Sequence, residues 1–105
     1  MKYYAVAELT VTDKSWVRAY VENVTPMVER HGGRYLARTS NFESLEGDRE
    51  RPQLVLLIEW PSLDAAKSFY DSAEYRPYRD ARLAGSRGDF RLVAGEDVNR
   101  LAKVS

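Results

Sequence analysis

The sequence has no cysteine among its 105 residues and only one histidine. Without cysteine, disulfide bonds and thiolate metal sites are excluded. A conventional zinc or non-haem iron site is disfavoured because a single histidine supplies too few ligands. We therefore expect no metal and no cofactor. The lack of cysteine also fits a reducing cytoplasm, which is the location we predict.

The chain also has no excess of charge and no long apolar run. Its 16 basic and 16 acidic residues give a net charge of zero. Nucleic-acid binding usually requires a basic excess that displaces counterions, so we expect no nucleic-acid partner. No segment approaches the roughly 20 apolar residues of a membrane-spanning helix, and Glu8 interrupts the short apolar start. We therefore expect neither a signal peptide nor a membrane partner.

The most informative feature that is present is the apolar run LVLLI at residues 54–58. Alternate side chains of a strand point to opposite faces of its sheet, so both faces of this strand need cover. The helices that the sequence predicts are sufficient to cover one face only. We expect a second copy of the chain to cover the other face, which predicts a homodimer.

Hydrophobic periodicity predicts the element order strand, helix, strand, strand, helix, strand. The strands are expected near residues 3–11, 34–42, 53–60 and 89–94, and the helices near 13–30, 63–71 and 77–85. Two such units joined by right-handed crossovers give an α+β, ferredoxin-like βαββαβ domain with a four-stranded antiparallel sheet. We predict this domain over residues 1–95 and a C-terminal tail over 96–105. In the tail, Val98, Leu101 and Ala102 are predicted to form a short docking helix.

Two candidate functional residues lie near the first helix. His31 is expected at the C-terminus of that helix, where it either moves protons near neutral pH or acts only as a capping cation. Arg38 is expected on the following strand, on the same face as Arg34 and Leu36. A half-buried arginine there either binds a substrate carboxylate or enolate, or forms an ion pair with a nearby glutamate or the partner subunit.

Two carboxylates on neighbouring central strands form a second candidate pair. If Glu8 and Glu59 share a face of the sheet, crowding would raise one pKa and create a general base. The alternative is that each carboxylate pairs with an arginine across the sheet or across the dimer interface.

Aromatic residues cluster at the break between the two late helices. Tyr70, Tyr75, Tyr78 and Arg82 lie around this break, and such breaks often lie at the mouth of a pocket. There a tyrosine hydroxyl can orient a ligand and its ring can stack on one. The alternative is that these rings simply close the end of a small core.

Several short motifs then resemble a known family. They are Gly32-Gly33-Arg34-Tyr35-Leu36-Ala37-Arg38, Glu46-Gly47, Arg51-Pro52, Glu59-Trp60-Pro61-Ser62, Ala65-Ala66, Phe69-Tyr70-Asp71-Ser72, Glu74-Tyr75, Pro77 and Arg82. Together they resemble domain-of-unknown-function family 1330 of the dimeric α/β-barrel superfamily, over roughly residues 2–95. The resemblance implies a ferredoxin-like subunit whose bare sheet face pairs with a partner's to close a barrel. It implies no single activity, since the superfamily includes cofactor-free monooxygenases, haem-processing enzymes and isomerases.

These observations favour a small-molecule-binding protein, acting as a cofactor-independent oxygenase or isomerase on a small oxygenated or aromatic substrate. The catalytic candidates are Glu59 and His31, and the substrate-binding candidates are Arg38, Tyr70, Tyr75 and Arg82. The alternative is a non-catalytic homodimeric module whose arginines and tyrosines serve folding and association. A hollow of about 300 Å³ or more with unpaired polar groups would favour the first reading, and a filled cleft the second.

Overall fold

The computed structural model describes residues 1–99 together with Ala102 and Lys103. Its main sheet has four antiparallel strands in the order β2-β3-β1-β4. The strands are β1 (Tyr3–Val11), β2 (Arg34–Thr39), β3 (Leu54–Trp60) and β4 (Ser86–Ala94), and the helices are α1 (Val17–Arg30), α2 (Leu63–Tyr70) and α3 (Arg76–Gly85). The βαββαβ order and the ferredoxin-like arrangement predicted from the sequence are confirmed.

The helices cover one face of this sheet, which we call the covered face. Its central residues are Ala5, Ala7, Leu9, Leu56, Ile58 and Trp60. They alternate along β1 and β3, and all except Leu9 pack with Val24 and Val28 of α1 and Phe69 of α2 in a single core. At about 25 cal/mol per Å² of buried apolar surface, this core supplies the main stabilisation of the chain.

The opposite face, which we call the open face, has no helix on it within residues 1–99 and 102–103. It carries Tyr4, Val6, Glu8, Val55, Leu57, Glu59 and Val93, all of them partly or fully exposed. The loop from residue 40 to 53 borders this face, and its Arg49 reaches Glu8 and Asp89 at 3.9 Å each. The run at residues 54–58 therefore lies in a central strand whose second face is apolar and uncovered in a single subunit.

The ends of α1 follow from identifiable capping groups. A 3₁₀ turn at Lys14–Trp16 precedes the helix, and Asp13 Oδ1 accepts a hydrogen bond from the Ser15 amide at 2.9 Å. At the other end, the amides of Gly32 and Gly33 donate to the carbonyls of Glu29 and Val28. This is the Schellman arrangement, and Gly32 accommodates its positive φ of 94° without a Cβ clash.

Some predicted boundaries are wrong. β2 ends at Thr39 rather than near residue 42, and β4 begins at Ser86 rather than near 89. The sequence did not predict the start of β4 because Gly88 is a poor strand former. A Cβ on Gly88 would lie 1.9 Å from the Glu8 carbonyl oxygen, so glycine permits the close approach of β4 to β1.

The tail does not form the predicted helix. Its described part contains the short strands β5 (Glu96–Asp97) and β6 (Ala102–Lys103), which pair antiparallel. Val98 lies in the turn between them and is largely exposed, while Leu101 lies outside the described residues. Within residues 1–99 and 102–103, no helix has the length and apolar character needed to cross a membrane.

Candidate functional site

A cavity of about 90 Å³ lies between the covered face and α1. Its walls are formed by Leu9, Val11, Trp16, Val17, Tyr20, Val21, Val24, Val28, Tyr35, Arg38, Leu54, Leu56, Ile58, Phe69, Tyr75 and Phe90. Val21 and Arg38 are exposed as well as lining it, so the cavity reaches solvent between α1 and β2. The lining contains no carboxylate and no imidazole.

The inner end of the cavity holds two tyrosines joined through their hydroxyls. The Tyr20 and Tyr75 oxygens are 2.6 Å apart, and Tyr75 is completely buried. Tyr20 comes from α1, whereas Tyr75 lies at the start of α3, so the contact joins two helices. Phe69 stacks against Tyr75 with ring centroids 4.3 Å apart, which fixes the orientation of the Tyr75 ring.

Arg82 lies behind these tyrosines and is only 3% exposed. Its guanidinium interacts with the Tyr75 hydroxyl and lies 5.2 Å from the centre of the Phe90 ring. Burial acts to lower the pKa of Arg82, but the charge that Tyr75 and Tyr20 acquire when they ionise at high pH outweighs it and raises that pKa above its usual value. Arg82 is therefore a permanent cation inside the protein.

Burial also controls the two tyrosines that face the cavity from α1 and β2. It is the main cause that raises the pKa of Tyr20, and the neighbouring Tyr75 adds to the shift. Burial likewise raises the pKa of Tyr35, against the opposing effect of Arg38. Both side chains keep their protons at neutral pH and can donate hydrogen bonds.

The outer end of the cavity holds Arg38, Tyr35 and Thr25. Arg38 Nη1 donates to Thr25 Oγ1 at 2.8 Å, and its guanidinium lies 4.1 Å from the centre of the Tyr35 ring. The Tyr35 hydroxyl also interacts with Thr25. Thr25 of α1 thus receives contacts from two side chains of β2 and holds the arginine at the cavity mouth.

A β-bulge in β2 decides which face Arg38 occupies. Tyr35 is opposite Ile58 and Arg38 is opposite Leu56, with the register shift between Tyr35 and Ala37. The predicted placement of Arg38 on the same face as Arg34 is therefore wrong, because one inserted residue reverses the side of every later side chain. Arg38 belongs to the covered face, whereas Arg34 is opposite Glu59 on the open face.

Tyr70 lies beside this cavity and does not line it. It borders a separate hollow of about 20 Å³ with Trp60, Phe69 and Phe90. The Arg79 guanidinium lies 5.0 Å from the centre of the Tyr70 ring, and its Nη1 donates to the Tyr70 carbonyl at 2.9 Å. Tyr70 is thus adjacent to Tyr75, with ring centroids 6.0 Å apart, but one layer away from the main cavity.

The two candidate carboxylates lie on the open face, away from the cavity. Glu59 is opposite Tyr4 of β1, whereas Glu8 lies four residues farther along that strand. At about 3.4 Å per residue, the two are separated by roughly 13 Å, so they do not crowd each other. Glu59 instead lies 3.5 Å from Lys2 and 3.8 Å from Arg34, which matches the alternative of pairing with basic residues.

His31 caps α1 and is also outside the cavity lining. Its Nδ1 lies 2.8 Å from the Met27 carbonyl oxygen and 3.7 Å from a carboxylate oxygen of Glu74. Its ring makes an edge contact with Phe69, with centroids 5.6 Å apart. These contacts match the capping alternative for this residue.

The structure therefore brings Arg38, Tyr75 and Arg82 to the cavity region and separates them from Glu59 and His31. Sequence reasoning missed Tyr20, Tyr35 and Thr25, which complete the polar ends of the cavity. Tyr20 lies in the helix predicted near residues 13–30, and its hydroxyl was the available signal that this helix presents a hydrogen-bonding group to the cavity. In the described part of the chain, no three His, Cys, Asp or Glu side chains lie close enough together to hold a metal ion.

Comparison with known proteins identifies the family and the fold. Residues 2–96 match the family described as Domain of unknown function (DUF1330). No curated protein sequence matches this chain.

Solved structures with this fold come from several bacteria. A protein of unknown function from Rhodopseudomonas palustris is similar at 20% identity and a TM-score of 0.71, covering 86% of this chain and 80% of its own. SnoaB, a cofactor-independent oxygenase from Streptomyces nogalater, is similar at 17% identity and a TM-score of 0.62, covering 91% and 94%. A Mycobacterium tuberculosis protein is similar at 19% identity and a TM-score of 0.57, covering 92% and 97%. At these identities the similarity shows a shared fold.

Proposed function

Because this chain belongs to the DUF1330 family and has the ferredoxin-like fold, we propose that it is a homodimeric small-molecule-binding protein of the cytoplasm. Its ligand is a small, largely apolar molecule with at least one oxygen atom, and it occupies the cavity between the covered face and α1. A cavity of about 90 Å³ limits this ligand to roughly the size of one aromatic ring, unless α1 moves outward.

The observation that carries this proposal is the placement of polar groups in an otherwise apolar cavity. Tyr20 and Tyr75 lie at its inner end, and Tyr35 and Arg38 lie near its mouth. Binding sites for small molecules combine apolar walls with a few convergent polar groups in this way. A core built for stability alone is normally packed without such a space. The cavity is below the roughly 300 Å³ that would favour a ligand site by volume, so the proposal depends on the polar groups and not on the size of the cavity.

The homodimer is supported by the open face. Tyr4, Val6, Leu57 and Val93 form an apolar surface across three strands, and Val93 is 46% exposed. A contiguous apolar surface of this kind indicates a protein interface. The proposed partner is the open face of a second copy of the chain. That face has a matching shape and chemistry, since it presents the same alternation of apolar residues and paired charged residues.

The proposal includes an enzymatic activity that needs no cofactor. The similarity to SnoaB, described as a cofactor-independent oxygenase, supports it at the level of the fold. Within the cavity, the tyrosine hydroxyls and Arg38 are the groups available to orient a substrate oxygen. Glu59 and His31 keep a catalytic role only if a partner subunit or a movement of the helices brings them to a ligand.

Native mass spectrometry of gently purified protein tests the proposal. We expect dimers that retain a small molecule, whose mass gives its composition. In a matched pair of variants, Val21→Trp at the cavity mouth should abolish the retained mass, whereas Leu83→Trp on exposed α3 should not. Monomers, or dimers that release no small molecule and bind no single-ring compound at millimolar concentration, would contradict it.

A further inference from the structure

The cation of Arg82 has no balancing carboxylate among the residues that the structure describes. Its Nε and Nη2 atoms are buried and make no hydrogen bond there, and Arg82 takes part in none of the ion pairs. A buried charge without a counter-charge is among the most costly features a protein can contain. Such groups cluster at functional sites, where a ligand can supply the missing negative charge.

Arginine fixes the direction of the first hydrogen bond that leads from it toward the cavity. A guanidinium can only donate, so the Tyr75 oxygen is the acceptor in its contact with Arg82. The Tyr75 hydroxyl proton is then free to be donated to the Tyr20 oxygen, 2.6 Å away. With Tyr75 as the donor, the Tyr20 proton is available for a third group, and Tyr20 makes no other hydrogen bond in the described chain.

We propose that the Arg82–Tyr75–Tyr20 chain is an oxyanion-recognition site at the inner end of the cavity. The Tyr20 hydroxyl donates a hydrogen bond to an anionic oxygen of the ligand, a carboxylate or a phenolate, and Arg82 acts through Tyr75 as a positioning and polarising residue. This inference rests on the proposed function, and it narrows the ligand from an oxygen-containing molecule to an organic anion.

The surroundings strengthen the preference for an anion. The cavity lining contains no carboxylate, and its walls are almost entirely apolar, so little screens the Arg82 charge from a ligand in the cavity. Each hydrogen bond in the series Arg82–Tyr75–Tyr20 also polarises the next in the same direction, which makes the Tyr20 hydroxyl a stronger donor. Arg38 at the mouth adds a second positive charge near the route of entry.

Matched pairs of single-ring probes test this inference. Benzoate and benzamide have nearly the same shape but differ in charge, and 4-nitrophenolate at pH 8.5 is compared with nitrobenzene in the same way. Binding is followed by the amide and methyl NMR shifts of the cavity residues. We expect the anion of at least one pair to bind about tenfold or more tightly than its neutral counterpart. The pair that shows the preference distinguishes a carboxylate site from a phenolate site.

Three variants and one control variant then locate the source of the preference. Arg82→Met and Tyr20→Phe should each remove it, and the double variant should lose no more than either single one, because the residues act as one unit. Arg76→Met, an exposed arginine on the same helix, should retain it. A change of cavity shape alone would alter the affinity for both members of a pair equally, so the ratio of the two affinities isolates the charge effect.

The outcomes separate this inference from the proposed function. If both members of each pair bind in the cavity with equal affinity, small-molecule binding stands and the oxyanion site is wrong. If the preference survives in Arg82→Met, another group creates it and the inference is also wrong. If none of the four probes binds, both the inference and the proposed single-ring site are contradicted.

Discussion

The two faces of the sheet differ in how their charged side chains are paired. On the open face, Glu59 lies within 4 Å of Lys2 and Arg34, and Glu8 lies 3.9 Å from Arg49. Behind the covered face, Arg82 is almost completely buried, and the described residues offer it no carboxylate. The same chain thus pairs its charges where water could solvate them and leaves one unpaired where water cannot reach.

This difference indicates different roles for the two faces. Paired, partly exposed charges cost little and help to set the register of an interface rather than its affinity. An unpaired buried charge has a large cost in stability, which is tolerated where a function depends on it. The difference fits the proposed association through the open face and the proposed ligand recognition at the covered face, and each proposal can be tested by substitution.

The largest effect should come from two neighbouring residues of β3 that point to opposite faces. Ile58 is 3% exposed on the covered face, so Ile58→Ala should lower the free energy of unfolding by about 2–5 kcal/mol. Leu57→Ala on the open face should cost well below 2 kcal/mol in dilute monomer, because Leu57 is then only half-buried. Urea denaturation at several protein concentrations measures both.

The concentration dependence is the decisive control for this pair. If the open face is covered by a second copy, the cost of Leu57→Ala should grow with protein concentration toward that of Ile58→Ala, whose own cost stays constant. Equal losses of unfolding free energy for both variants in dilute monomer would show that the two faces are equally buried within a single chain. That result would contradict the distinction between the covered face and the open face.

A charge at the centre of the open face should break the assembly. Leu57→Glu would place a carboxylate against its counterpart across the proposed interface, and we expect the dissociation constant of the dimer to rise at least a hundredfold, or about 2.7 kcal/mol. Sedimentation velocity measures the change. Leu45→Glu, at a loop position that is 89% exposed, is the control and should leave the dimer intact. A dimer that withstands Leu57→Glu must use another surface.

Alkaline pH should act through the covered face. The pKa values of Tyr20 and Tyr35 are raised by burial above the unfolded value near 10. Their protonated forms therefore stabilise the fold fully below pH 10, and this stability is lost as the pH rises beyond it. Each tyrosine should contribute a slope of up to about 1.4 kcal/mol per pH unit above pH 10. Urea midpoints at pH 8, 9.5, 10.5 and 11 test this.

Tyr20→Phe provides the control for the pH experiment. It removes one titrating group while it keeps the ring, so the slope above pH 10 should become shallower, in addition to a loss of about 1–3 kcal/mol at all pH values because the buried Tyr75 hydroxyl loses its partner. An unchanged slope in this variant would mean that Tyr20 ionises as freely in the folded protein as in the unfolded chain.

The sequence predicted the fold well because the fold depends on patterns that survive local variation. Alternation along residues 3–11, the apolar run at 54–58, the two glycines after His31 and the serine before Leu63 each mark one element, and the Ser62 Oγ accepts from the Ala65 amide at 3.0 Å. These signals are local, and they agree with one another along the chain.

The site was less predictable because it depends on registers and on contacts between distant residues. A single bulge between Tyr35 and Ala37 moved Arg38 to the covered face, and no local pattern marks that bulge. The contact between Tyr20 and Tyr75 joins residues 55 positions apart. Arg82 was recognised as a candidate, but its burial without a carboxylate is a property of the packed structure alone.

The smallest predicted effect is a gain in stability on substitution of a buried residue, whereas substitutions at buried positions usually lower stability. Arg82→Met replaces a buried, unpaired cation with an apolar side chain of similar length, which removes a desolvation cost and keeps contact with the Phe90 ring. We expect the ligand-free protein to gain about 1 kcal/mol in its free energy of unfolding. For a chain of this size, that is a rise in Tm of roughly 4–8 °C.

Arg76→Met serves as the reference for this measurement, since Arg76 is exposed on the same helix and its replacement should change stability by less than about 0.5 kcal/mol. The gain at Arg82 should disappear when a bound anion is present, because the anion stabilises only the protein that retains the guanidinium. A loss of more than 1 kcal/mol in ligand-free Arg82→Met would instead show that the contacts with Tyr75 and Phe90 already compensate the buried charge. Arg82 would then be a structural residue, and charge would be balanced on both faces of the sheet.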